Sequence, residues 1–143
     1  GMVCVQKTVS AIDEAKSAIE SLKGQADAIY IPTDNTLADG MKTVSAAAND
    51  VGIPVIVGES GMVGSGGLAT FGIDYYSLGK RTAEMAVKII EAEDSLKAVS
   101  ETPVFFVTED SDCKYAFNTE TASKLGITIP EELLSKADIF PAK

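Results

Sequence analysis

Apolar and polar residues change their spacing several times along this chain, and each change marks an element. Residues 3–9 (VCVQKTV) alternate apolar and polar side chains, the period of a strand. Ser10 follows with Asp13 three residues on, which predicts a capped helix start. Ile12, Ala15, Ile19 and Leu22 then share one helical face, Glu14 and Glu20 fall elsewhere, and Gly24 stands where a helix stops. Residues 28–31 (AIYI) form a short apolar run, the signature of a buried strand in a parallel sheet. Leu37, Met41, Val44 and Ala48 predict a second helix over residues 36–51, closed by Gly52. A third strand is expected at 53–57 (IPVIV), a glycine-rich connection at 58–67 and a fourth strand at 68–71. From Asp74 to about Glu91 the pattern is again helical, with Leu78, Met85 and Ile89 facing inward.

The tail differs. Residues 103–107 (PVFFV) and 114–117 are expected as short strands around an acidic turn at 109–112. A short helix is expected at 119–125, and Gly126 separates it from another that opens with Pro130 at its first position, before Glu131. The order β-α-β-α-β-loop-β-α predicts an α/β protein, a three-layer parallel sheet with helices on both faces and right-handed crossovers. With no repeat and no low-complexity linker, the chain reads as one compact unit with a tail.

Composition narrows the function classes. The 143 residues are 45% hydrophobic and 23% charged, as in an ordinary globular domain. A net charge of −9, with Lys and Arg scattered singly, argues against nucleic acid as a partner. The absence of His removes the commonest general base and metal ligand. Cys4 and Cys113 are too few and too far apart for a zinc site and are expected as buried strand thiols. No metal or cofactor is therefore expected. No apolar run is long enough to span a bilayer, and no signal peptide is read in these residues.

Open α/β sheets bind ligands beyond the carboxyl ends of their strands. Three such ends carry polar clusters: Pro32-Thr33-Asp34-Asn35-Thr36, Gly58-Glu59-Ser60-Gly61 and Gly72-Ile73-Asp74-Tyr75-Tyr76. In parallel strands all three would gather along one rim. Asp34, Asn35 or Thr36, and likewise Asp74, also suit plain helix N-capping. Glu59 is harder to assign that way, because it follows a buried strand directly and precedes glycines that let backbone approach a ligand. The stretch GESGMVGSGG is neither a Walker A loop nor the dinucleotide-binding glycine pattern, and Glu59 would repel phosphate. It is not a nucleophile elbow either, and the chain has no His to serve one. Carboxylates beside tyrosines instead suit an ammonium group next to an apolar side chain.

The stretches ADAIYIPTDNTLADGM and GIPVIVGESGMVGSGGLATFGIDYYSLGKRTAEMAVKI, with the ending NTETASKLGITIPEELLSKAD, closely resemble bacterial ABC transporter substrate-binding proteins of the tryptophan/tyrosine type. The resemblance implies one lobe of a type I periplasmic-binding-protein fold, in which two α/β lobes joined by a hinge close on a ligand. It implies a secreted, lipid-anchored precursor, an ABC permease as partner and an aromatic amino acid as ligand. Carried over by position, the ligand-binding residues are Thr33, Asp34 and Asn35, then Glu59 and Ser60, then Asp74 and Tyr75. Family members are about twice this length, the size of two lobes. This chain corresponds to their C-terminal lobe, and residues 68–93 to the segment that crosses to the N-terminal lobe. That segment would expose Met85 and Ile89 unless it folds back or a second copy covers it, so a homodimer or an exchanged arrangement is expected. A ligand-sensing regulatory domain on the same fold is the alternative, with an enzyme on a flavodoxin-like sheet after it.

Overall fold

A computed structural model describes residues 1–104, 107 and 112–141. Its element order is α1 (Ile12–Glu20), β1 (Ile29–Ile31), α2 (Asn35–Asp39), α3 (Met41–Val51), β2 (Val55–Val57), α4 (Ser60–Gly64), β3 (Ala69–Ile73), α5 (Tyr75–Ile90), α6 (Ser95–Glu101), β4 (Cys113–Asn118), α7 (Thr119–Leu125), α8 (Glu131–Leu134) and β5 (Ala137–Phe140). The chain packs as two compact units rather than one: Gly1–Gly72 with Tyr115–Lys143, and Ile73–Lys114.

The first unit holds the core. Ala15 and Ile19 of α1 meet Met41, Val44 and Ala48 of α3, and β2 adds Val55 and Val57 beneath them. Full burial of a side chain such as Met41 or Val44 contributes about 1.5–3 kcal/mol. The predicted stripes on α1 and α3 are therefore the packed ones. Gly52 closes α3 in the left-handed conformation, at φ 77°, as its position predicts.

The sheet is α/β as expected, with strand order β1-β2-β3-β4-β5. Strands β1, β2 and β3 pair in parallel, with Ile31 opposite Val57 and Ile56 opposite Ala69, and β4 pairs in parallel with β5. Strand β4 runs against β3, because Asp74 N–H donates to Asp112 O while Asn118 N–H donates to Leu68 O. The sheet is thus mostly parallel with one reversed junction.

Several elements depart from the sequence pattern for physical reasons. Residues 3–9 form no strand, and Met2, Val3 and Val5 are exposed. Alternation alone does not make a strand without a neighbour to complete its ladder. Cys4 is accordingly exposed rather than buried, Cys113 is half-buried in β4, and both thiols are free. Ser10 does not cap α1. The N-cap is Ala11, and Ser10 contributes its N–H to Glu14 Oε2 at 2.7 Å. The helix ends at Glu20, and Gly24 takes its positive φ in the turn beyond.

The helix expected over 36–51 breaks at Gly40, where a Cβ would run into the Ile12 side chain of α1. Part of the glycine-rich connection forms α4, and a fifth strand, β5, ends the fold. Pro130 is the N-cap of α8 rather than its first residue. Pro103, Val104 and Val107 are not in a strand, and the rest of the strand expected at 103–107 lies outside the described residues, as do residues 109–111 of the acidic turn.

In the second unit, α5 packs with α6. None of the α5 residues is buried, so Leu78, Met85 and Ile89 are half-exposed and not the core face that the helical period suggests.

Candidate functional site

Two of the three polar strand ends lie in the first unit and meet there backbone to backbone. A Cβ on Gly58 would fall 2.5 Å from Thr33 N and 2.6 Å from Thr33 Oγ1, so only glycine lets the loop after β2 lie against the loop after β1. Gly72, near the end of β3, is equally constrained: its Cβ would fall 2.9 Å from Gly58 O and 3.5 Å from Glu59 Cα. Parallel pairing of β1, β2 and β3 thus brings Thr33, Gly58, Glu59 and Gly72 together. Thr33, Asp34 and Asn35 are exposed, whereas Glu59 and Ser60 are half-buried.

The carboxylates here have local work. Leu37 N–H donates to Asp34 Oδ1 at 2.9 Å, which makes Asp34 the N-cap of α2, with Asn35 its first helical residue. Glu59, which its position sets apart from the capping residues, is an N-cap as well. Its Oε2 accepts from Gly61 N–H and its Oε1 from Met62 N–H, both at 2.7 Å, and Ser60 opens α4 beside it. The N–H donors are neutral, so they bring no positive charge to the carboxylates. Among the described residues, neither Asp34 nor Glu59 is in an ion pair.

The far end of α4 is tied down by buried side chains. Asn118 Nδ2 donates to Val63 O at 3.0 Å while its Oδ1 accepts from Thr121 N–H at 3.0 Å as the N-cap of α7. Thr121 Oγ1 donates to Gly66 O at 3.0 Å, and Ser45 Oγ reaches Ser65 O. These anchors escape a motif search because they are single polar residues distant in sequence. The signal for Asn118 is the capping preference of an Asn directly before the helix at Thr119. Under the loops, Thr70 is only 3% exposed and its hydroxyl has no partner among the described residues. Phe71 and Tyr115 form a tilted ring pair, with centroids 4.4 Å apart. A shallow groove lined by Lys16, Lys42, Thr43, Ala46, Ala47 and Asp50 lies on α1 and α3 and holds none of the strand-end groups.

In the second unit, Asp74 is the N-cap of α5 and Tyr75 its first, exposed residue. Asp74 Oδ1 accepts from Tyr76 N–H at 3.2 Å, and Oδ2 accepts from Ser77 Oγ at 2.6 Å with Lys114 Nζ at 3.2 Å. The Ser77 hydroxyl, against the smaller effect of burial and with help from Lys114, holds Asp74 below its ordinary value of 3.8. Arg81 Nη2 meets Asp112 Oδ1 at 2.7 Å in the same unit.

A family description, ABC transporter substrate binding protein, matches residues 1–140. The chain belongs to that family. Substrate-binding proteins of this family are similar to it at several levels. A tyrosine-binding protein of Clostridioides difficile is 42% identical over 105 residues, which are 73% of this chain and 29% of that protein. The ligand-free, open structure of a substrate-binding protein with adhesive properties from Clostridium difficile superposes with a TM-score of 0.74 at 37% identity, over 97% of this chain and 44% of that one. An ABC domain from Streptococcus pneumoniae in complex with L-Trp gives 0.72 at 33% identity, over 92% and 42%. The chain therefore spans less than half the length of these substrate-binding relatives. The family is one of binding proteins rather than enzymes. Among the described residues no helix is long and apolar enough to cross a membrane.

Proposed function

We propose that this chain is the C-terminal lobe of the solute-binding component of a bacterial ABC importer and that it helps bind an aromatic amino acid. The observation that carries this reading is the pair of carboxylates, Asp34 and Glu59, which meet no cation among the described residues, on loops that glycines hold in backbone contact. Fixed anionic groups of this kind suit an α-ammonium group. The tyrosine-binding relative and the L-Trp complex support the ligand class. In this reading Thr33, Asp34, Asn35, Glu59 and Ser60 are ligand-binding residues of the first unit, and Asp74 and Tyr75 are ligand-binding residues of the second. Residues 68–93 are the segment that crosses to the N-terminal lobe, a view supported by the packing of Ile73–Lys114 as a separate unit. The chain acts without catalysis, outside the cytoplasm, and hands its ligand to a permease; the precursor is membrane-anchored.

Calorimetric titration of the full two-lobe protein with L-tryptophan, L-tyrosine and L-phenylalanine tests the reading. At least one is expected to bind. Glu59→Gln in the first unit and Asp74→Asn in the second are each expected to weaken binding about tenfold or more, the scale of a lost charge-assisted hydrogen bond. Unchanged affinity in both variants would overturn the site assignment. Binding of none of the three would overturn the ligand class.

A further inference from the structure

The start of α5 is held from a single strand, β4 and its approach. Asp74 N–H donates to Asp112 O at 2.9 Å, and two residues further on the Lys114 ammonium reaches Asp74 Oδ2 at 3.2 Å. Backbone and side chain of Asp74 are thus gripped from the same side. The Asp74 side chain is 12% exposed and that of Lys114 53%, so the carboxylate is shielded while the ammonium remains partly hydrated. Ser77 Oγ shares Oδ2 at 2.6 Å and Tyr76 N–H takes Oδ1 at 3.2 Å. Asp112 does not compete for Lys114 through its Oδ1, which is engaged by Arg81 at 2.7 Å.

This arrangement has consequences for the first turn of α5. The opening N–H groups of a helix have no intrahelical acceptor and depend on the cap. Here the cap oxygen is oriented by Ser77 from within the helix and by Lys114 from outside it. Lys114 is the one of these partners that carries a charge, and the one that ties the cap to another element. Tyr75 follows the cap directly, so its backbone direction is set by how Asp74 is held.

We propose that Lys114 is a positioning residue for ligand binding: its ammonium fixes the Asp74 carboxylate and, through it, the direction of Tyr75 at the start of α5. The proposal rests on the reading of Asp74 and Tyr75 as ligand-binding residues. It adds to that reading a second role for Asp74, whose carboxylate also orders the helix start, while Tyr75 is left exposed for contact.

Lys114→Met and Lys114→Arg test it, read by the carboxyl NMR titration of Asp74 and by calorimetry with L-tryptophan and L-tyrosine. In Lys114→Met the Asp74 titration is expected to move up in pH, because an opposite charge that favoured the ionised form is gone. Affinity is expected to fall about threefold to tenfold, as for the loss of one orienting interaction. Lys114→Arg is expected to restore both, since it returns the positive charge. A Lys114→Met variant that keeps wild-type affinity while Asp74→Asn loses it overturns the proposal, as does one that loses affinity with no change in the Asp74 titration. If Asp74→Asn and Tyr75→Ala both bind as wild type, it is the underlying assignment of these residues that falls.

Discussion

Thr70 buries a hydroxyl that has no partner among the described residues, close to the point where Gly72 passes the Gly58 carbonyl. A desolvated, unpaired hydroxyl costs about 1–3 kcal/mol, whereas an apolar group of the same shape carries no such penalty. Thr70→Val is therefore expected to raise stability by about 1 kcal/mol in urea unfolding. A loss of stability instead would mean that the hydroxyl is satisfied in solution. Individual site residues were only half legible in the sequence. Asp34 and Asp74 are caps, as their positions before helices suggest, but so is Glu59, whose helix is hidden in a run of glycines. The exposed Thr33 shows its importance only through the Cβ that Gly58 lacks. Lys114 was invisible, since an ion pair that spans forty residues of chain leaves no local pattern.

Elements with a strong period and a clear stop were readable. Helix α7 begins at Thr119 and ends at Leu125 as predicted, and α3 ends at the expected glycine. Elements decided by distant neighbours were not. Gly40, where the helix breaks, packs against Ile12 from another helix, and residues 3–9 alternate like a strand yet form none. Strand β5 is four residues in a tail, made by its register with β4 rather than by its own composition. Helix α4 similarly depends on both ends, Glu59 at its start and Asn118 beyond its finish. Asn118→Ala removes a buried cap and leaves Val63 O without its donor, and it is expected to cost about 2–4 kcal/mol. Chemical denaturation measures this. A cost of only a few tenths would show that α4 and α7 do not depend on this bridge.

At the scale of the whole molecule, the second unit presents Val87 and Ile90 on α5 and Leu96 and Val99 on α6 as exposed large hydrophobics. Apolar surface of this kind is usually covered in solution. The chain on its own is therefore expected to self-associate, with a dimer growing in with concentration in size-exclusion chromatography coupled to light scattering. A monomer at every concentration would refute that. In the first unit α1 and α3 bury their apolar stripes in the core.

The contacts of Gly58 with Thr33 and of Gly72 with Gly58 also bear on motion. Close-packed backbone transmits displacement instead of absorbing it. At Gly58 and Gly72 the loops after β1 and β2 and the end of β3 come within backbone contact, with only the small Thr33 and Thr70 hydroxyls beside them. A displacement of one of these three segments is therefore expected to carry the other two along.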